Sequence, residues 1–234
     1  MYASPNLKAV ICISKMVKDD IVRRFGFDGA KCEVIHLDID TEKFRPRVRE
    51  EFRESTRTRL GIPAGAQVAV FAGSGFVRKG VAAFLQVVQR LPQLHGIVVG
   101  HDKAMPKFKS LAANLGVANR VHFTGGVKDV RPYYGAADVF VMPTLYEPFG
   151  LVYGEAMACG LPAIVSRDAG AQDWIAEGQN GFVVDPLDIG AMAQAVTAAL
   201  THPAMRAAAR ESVLPFTAEA AAAQYRALYA RLAA

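Results

Sequence analysis

From residue 66 onward the chain alternates short, apolar, β-rich runs with amphipathic helical stretches, and few architectures accommodate that alternation. Strands are expected at 68–72, 96–99, 121–124, 139–142, 163–166 and 182–184, with helices between them at 80–91, 106–115, 130–136, 151–159 and 171–177. Helical pieces at 188–200, 203–213 and 218–232 follow. Strands separated by helices pair in parallel and need cover on both faces, so the pattern predicts an α/β fold with a helix-covered parallel sheet. The upstream part is less regular. A strand is expected at 7–13, then a helix capped by Ser14 and stopped at Gly26, and a second strand at 32–36. A polar connector over 38–47 leads to a charged helix over 48–60, stopped by Gly61 with Pro63 beyond.

Composition narrows the function classes. Lys and Arg number 27 against 22 Asp and Glu, a formal charge of +5. That excess fits an anionic ligand or an acidic membrane surface. No stripe of interleaved basic and aromatic residues points to nucleic acid. Cys12, Cys32 and Cys159 are too few and too scattered for a disulfide framework or a zinc site, and read as buried, reduced thiols of a cytoplasmic protein. No apolar run approaches the ~20 residues that span a bilayer, and no signal peptide is visible, so the expectation is a soluble protein, peripheral on the inner membrane face at most. His36, His95, His122 and His202 form no triad or metal spacing. His101-Asp102 follows a strand end but reads as ordinary hydrogen bonding. Trp174, Tyr133, Tyr134 and Tyr153 read as packing aromatics.

Two segments carry chemistry. Gly73-Ser74-Gly75-Phe76-Val77-Arg78-Lys79-Gly80 follows a strand and opens a helix. As a dinucleotide fingerprint it fails, because the glycine after Gly75 comes too late, and as a Walker A loop it fails because Val81 follows Gly80. A phosphate-binding strand-loop-helix remains. Two cations at a helix start oppose the helix dipole, an arrangement that a bound anion would relieve. The second segment is Glu147-Pro148-Phe149-Gly150-Leu151-Val152-Tyr153-Gly154-Glu155. It places one carboxylate in a loop after a strand and a second, eight positions on, inside the following helix. Ligands bind at such strand ends in open α/β sheets. The helix start around Phe149, Gly150 and Leu151 offers unpaired N–H groups to phosphate, and carboxylates accept hydrogen bonds from sugar hydroxyls. The competing reading is a favourable acid near a helix start and an unrelated surface Glu.

The second segment resembles the E-x7-E signature of the retaining glycosyltransferases of family 4, which have the two-domain GT-B fold. The resemblance implies a Rossmann-like domain in which Glu147 approaches the donor sugar and Glu155 binds the ribose. Ser74, Gly75, Arg78 and Lys79 fall in the family's diphosphate-clamping loop. The usual earlier Arg is Ser74 here, and the adjacent Arg78-Lys79-Gly80 resembles the lipopolysaccharide-core glucosyltransferases. His122 to Val127 resembles the strand and turn that meet the base near Val127, and Gly160 to Ser166 resembles the strand after the E-x7-E helix. Asp168 to Asp173 stands in place of a Gly-Gly-x-x-Glu turn, and Leu37-Asp38-Ile39-Asp40 departs from Asn-Gly-Val-Asp in the interdomain linker.

The resemblance divides the chain into three. Residues 1–46 would be a remnant of an N-terminal domain plus linker, 47–216 the nucleotide-sugar-binding domain, and 217–234 a C-terminal crossover helix. It implies the donor-binding half of a hexosyltransferase, with catalytic Arg78, Lys79 and Glu147. Donor contacts would come from Ser74, Gly75, Val127, Phe149, Gly150, Leu151, Val152 and Glu155. The implied donor is a nucleoside diphosphate sugar, UDP-linked, used without metal or other cofactor. The implied acceptor is a glycan or glycolipid of lipopolysaccharide or other envelope synthesis. The family's acceptor-binding N-terminal half is missing, so the chain reads as a truncation or a separately encoded half, inactive alone. A non-catalytic nucleotide-sugar-binding module, or a GT-B epimerase or phosphorylase, are the alternatives.

Overall fold

The computed structural model describes residues 6–233. The first unit is small. Parallel strands β1 (Val10–Cys12) and β2 (Cys32–Val34) flank helix α1 (Lys15–Phe25). The expected strand over 7–13 is shorter than the sequence pattern implies. Ser14 does cap α1, accepting the Val17 N–H at 3.2 Å, and Gly26 ends it in the left-handed conformation at φ 61°. Cys12 and Cys32 lie buried together here. Burial and Cys32 push the Cys12 thiol up to about 11, so it stays protonated.

Helix α2 (Arg47–Leu60) leads into the main sheet. That sheet comprises β3 (Gln67–Ala72), β4 (Leu94–Val99), β5 (Val121–Gly125), β6 (Val139–Met142), β7 (Ala163–Ser166) and β8 (Gly181–Val184). Their spatial order is β5-β4-β3-β6-β7-β8, all parallel. The inner strands are apolar on both faces because helices cover both. Those helices are α3 (Val81–Arg90), α4 (Met105–Asn114), α5 (Arg131–Ala136), α6 (Leu151–Ala158), α7 (Ile189–Thr201) and α8 (Met205–Val213). Chain order reverses between β3 and β6, so the carboxyl ends of these two strands diverge into a crevice.

The expected helix over 171–177 is instead a short 3₁₀ segment, Gly170–Trp174. The Asn180 side chain explains the early stop. Its amide donates to the Trp174 carbonyl at 2.9 Å and its oxygen accepts the Ala176 N–H at 2.9 Å, so the chain turns rather than winding on. The last helix, α9 (Ala218–Ala233), reaches back to the first unit, where Lys8 donates to the Leu232 carbonyl at 2.8 Å and Arg231 pairs with Glu33. No helix among the described residues is long and apolar enough to cross a membrane.

A pair of histidines on β4 and β5 makes folding pH-dependent. His95 and His122 stack with ring centroids 5.9 Å apart, and His95 Nδ1 and His122 Nε2 are buried without a hydrogen-bond partner among the described residues. Burial lowers both imidazole pKa values, and nearby Arg120 lowers His95 further while His95 lowers His122. The unfolded chain therefore takes up these protons first, and stability present above about pH 6.5 is lost as pH falls toward the folded-state values. The loss is expected at up to ~1.4 kcal/mol per histidine per pH unit. Urea denaturation at pH 7.5 and 5.5 reads it, and equal stability at both would contradict the assignment. The depressed carboxylates Asp20, Asp102, Asp129 and Asp138 act only below the ordinary carboxylate range, about pH 4, whereas the raised Glu155 opposes the histidines, so the measurement is made in Glu155→Gln.

Candidate functional site

The loops leaving β3 and β6 form the crevice walls, and backbone contacts lock them together. Gly80 has φ 79°, and a Cβ there would lie 1.9 Å from the Pro143 carbonyl oxygen, so only glycine allows the approach. One turn back, the Arg78 carbonyl accepts the Leu145 N–H at 2.8 Å. The fully buried Thr144 hydroxyl sits 3.2 Å from both the Arg78 and Tyr146 carbonyls, and its single proton serves one of them at a time. On the far side, Asp102 accepts the Phe76 N–H at 2.8 Å and the Ala104 N–H at 2.7 Å. Those hydrogen bonds hold its carboxyl below the usual range and tie the Gly-rich loop to the end of β4. The reading of Asp102 as ordinary hydrogen bonding stands, and the bonds it makes fix the loop.

This scaffold brings Arg78, Lys79 and Glu147 together. Lys79 Nζ lies 3.2 Å and Arg78 Nη1 3.5 Å from Glu147 Oε2, and Arg78 also donates to the Tyr146 carbonyl. Lys79 and Glu147 are largely buried, with side chains 13% and 14% exposed, while Arg78 is half exposed. The Lys79 stem lies over Gly73, where a Cβ would meet its Cδ and Nζ at 2.8 Å. Helix α3 begins at Val81, so the two cations precede its first turn, and Glu147 supplies a counter-charge in addition to any bound anion.

Glu147 is fixed through its backbone. Its N–H donates to the Asp168 carbonyl at 2.9 Å and its carbonyl accepts the Gly170 N–H at 2.8 Å, a parallel bridge to Ala169. Gly150, at φ 83°, sits between the Tyr153 ring and the Glu147 side chain, 2.7 Å and 3.1 Å from where its Cβ would be. Phe149 is buried against Trp174, with ring centroids 4.8 Å apart in an edge-to-face arrangement. Gly150 caps α6, so the N–H groups of Leu151 and Val152 belong to the unpaired first turn beside Glu147.

Glu155 has a different partner. The Tyr134 hydroxyl donates to Glu155 Oε2 at 3.2 Å, and burial raises the Glu155 carboxyl. Ser74 and Val127 are exposed at the ends of β3 and β5, on the same rim but without a contact to Lys79 or Glu147. A cleft of about 660 Å³ lies beside the crevice, between α1 and Tyr146, Arg167 and Asp168. Its walls do not include Lys79 or Glu147.

Sequence reasoning missed several positioning groups because their partners are distant in the chain. Ser14, read as a cap, also donates to the Pro148 carbonyl at 2.7 Å and so ties α1 to the Glu147 loop. Asp173 accepts the Lys15 N–H at 2.7 Å and lies 3.0 Å from His36 Nε2. Thr144 carries no motif at all, and its role is testable. Thr144→Val keeps the shape but removes one hydrogen bond, while the Arg78 and Tyr146 carbonyls keep their other donors, and a loss of about 0.5–1.5 kcal/mol by urea denaturation is expected. An unchanged midpoint would show that the hydroxyl does not hold the two loops.

Comparison with known proteins matches the fold. The family described as glycosyl transferases group 1 matches residues 52–213. The chain is 35% identical over 150 residues to the lipopolysaccharide core biosynthesis glycosyltransferase LpsE of Rhizobium meliloti, covering 64% of this chain and 44% of that one. It is 32% identical over 208 residues to D-inositol 3-phosphate glycosyltransferase of Xylanimonas cellulosilytica, covering 85% of this chain and 50% of that one. Among solved structures, sucrose-phosphate synthase of Thermosynechococcus elongatus superposes with a TM-score of 0.82 at 30% identity, over 96% of this chain and 58% of that one. Anabaena HepE, solved in complex with UDP, shares the fold with a TM-score of 0.86 at 22% identity, over 96% of this chain and 64% of that one. The chain spans about half the length of the curated relatives it matches. The family match over most of its length, on a Rossmann-like parallel sheet of this strand order, places the chain in the glycosyl transferases group 1 family.

Proposed function

We propose that this chain is the donor-binding half of a retaining glycosyltransferase, moving a sugar from a nucleoside diphosphate sugar to an acceptor hydroxyl. The observation that carries the reading is the meeting of Lys79, Arg78 and Glu147 beside the unpaired first turn of α6. A diphosphate laid across that turn would accept from the Leu151 and Val152 N–H groups and draw Lys79 and Arg78 toward itself. Glu147 would then be released from its ion pair to accept from sugar hydroxyls. As the sugar–oxygen bond breaks, negative charge grows on the leaving diphosphate, and the two cations are already in place to stabilise it. Glu155, raised by burial and steadied by Tyr134, would take the ribose hydroxyls. Ser74 and Gly75 would border the diphosphate and Val127 the base.

UDP is the nucleotide proposed, supported by the resemblance to the lipopolysaccharide-core branch and by the complex of HepE, whose fold this chain shares. No metal is assigned a role, since the charge of the leaving group is answered by side chains. The acceptor proposed is an envelope glycan or glycolipid, met with the help of an N-terminal half. The second reading is a nucleotide-sugar-binding module without transfer.

Calorimetry of UDP with the chain and with Glu147→Gln, alongside a transfer assay, separates these readings. Because Glu147 competes for Lys79, the Gln variant is expected to bind UDP at least as tightly as the native chain while losing sugar transfer. Weaker UDP binding in Glu147→Gln would contradict the exchange of partners. Binding without transfer, even after an N-terminal half is supplied, would favour the module.

A further inference from the structure

A second charged cluster lies at the opposite edge of the sheet, where the amino ends of β3 and β6 meet α2 and α8. A cavity of about 300 Å³ there is lined by Arg49, Arg53, Gln67, Asp138, Pro203 and Arg206 among others. Asp138 is the one acid in that lining. Its charge is heavily committed. Oδ2 accepts from the buried Arg57 at 2.8 Å and from the Val68 N–H at 3.0 Å, while Oδ1 is shared by Arg53 at 3.0 Å and Arg49 at 3.1 Å. Arg206 reaches only the Asp138 backbone carbonyl, at 3.3 Å. Carbonyls at the end of α5 take up further guanidinium donors from Arg49, Arg53 and Arg57, which satisfies hydrogen bonds but does not offset whole charges. The lining thus holds three guanidinium groups against one carboxylate that already serves a fourth behind it. Burial, and repulsion from Arg49, pull the Arg206 guanidinium down to about 10, against a weaker opposing pull from Asp138.

We propose that Arg49, Arg53 and Arg206 form an anion site for a phosphomonoester group, distinct from the crevice that holds Lys79 and Glu147. A phosphomonoester carries about −1.5 to −2 charges, which matches the surplus of two in the lining. Guanidinium forks suit its oxygens through paired, charge-assisted hydrogen bonds. Gln67 and the floor at Gly65 and Ala66 leave room for a small esterified group. The site lies at the far end of β3, roughly 20 Å from the crevice by the strand rise. Its ligand is therefore a separate molecule or a lipid headgroup rather than the other end of a bound nucleotide sugar.

The test uses the Lys79→Ala chain, so that the crevice does not confuse the signal. Inorganic phosphate and glycerol 3-phosphate are titrated by calorimetry and thermal shift, and vesicles of phosphatidylcholine with phosphatidic acid are tested by co-sedimentation. Saturable binding is expected, weakened about tenfold or more by Arg206→Gln. Gln67→Glu should weaken it similarly, since it adds a carboxylate to the cavity without removing any arginine. Binding to soluble esters assigns a free metabolite, and binding to vesicles alone assigns a lipid headgroup. No saturable binding to any of the three probes would overturn the proposal, as would binding that both Arg206→Gln and Gln67→Glu leave unchanged. Either result leaves the reading of the Lys79 crevice untouched.

Discussion

Lys79→Ala is expected to lower donor turnover of the complete enzyme by about two to three orders of magnitude, the range for one positioned donor worth ~2.7–4 kcal/mol in a transition state. In the proposed reaction the ammonium group would sit where charge develops, and it is largely buried, 3.2 Å from Glu147 Oε2. Three effects act together when it is removed. The leaving diphosphate loses a cation, Glu147 loses its ion-pair partner, and the stem that covers Gly73 disappears. Lys79→Met separates the last effect from the others, because it keeps most of the stem without the charge. Both variants leave the largely buried Glu147 carboxylate with less counter-charge, so some loss of stability is expected and turnover is compared at a temperature where urea denaturation shows both to be folded. Lys79→Arg is expected to rescue in part, because a planar fork cannot reproduce a compact ammonium at the same point. Native turnover in Lys79→Ala, measured with saturating donor, would remove this residue from the chemistry.

Gly80→Ala is expected to cost about 2–5 kcal/mol of folding stability, the sum of an overpacked contact and a left-handed backbone forced on a residue with a Cβ. The added methyl would lie 1.9 Å from the Pro143 oxygen and 2.8 Å from its carbonyl carbon, both backbone atoms that cannot swing aside. The two loops must part to admit it, and the Leu145-to-Arg78 hydrogen bond lies in the path of that movement. Stability and UDP affinity should therefore fall together. Against the 5–15 kcal/mol of an ordinary domain, the loss is large enough to move a urea midpoint plainly. A Gly80→Ala chain with unchanged midpoint and UDP affinity would show that the loops are not held as described.

The sheet was legible because buried parallel strands are written as short continuous apolar runs, and 139–142 or 163–166 admit little else. The crevice was legible for a different reason: Gly73 to Gly80 and Glu147 to Glu155 are local, and strand-loop-helix geometry follows from order along the chain. What stayed hidden is what the fold brings from afar. Thr144 meets Arg78, Ser14 meets Pro148, and Tyr134 meets Glu155 across separations that no period reveals. Nor could a sequence show that Glu147 itself balances Lys79, since the same two residues would read identically if the side chains pointed apart. The 171–177 segment failed where helical composition competed with one buried side chain, Asn180, that captured the backbone first. Asp138, which gathers Arg49, Arg53 and Arg57, looked like an ordinary residue before a strand.

The most direct test of the shared phosphate pocket is a crystal structure of the chain with UDP. The β-phosphate is expected within hydrogen-bonding distance of Lys79 Nζ and of the first N–H groups of α6, with the Lys79–Glu147 pair opened and the ribose on Glu155. UDP bound elsewhere, or bound in the crevice with that ion pair intact and the α6 N–H groups empty, would contradict the account.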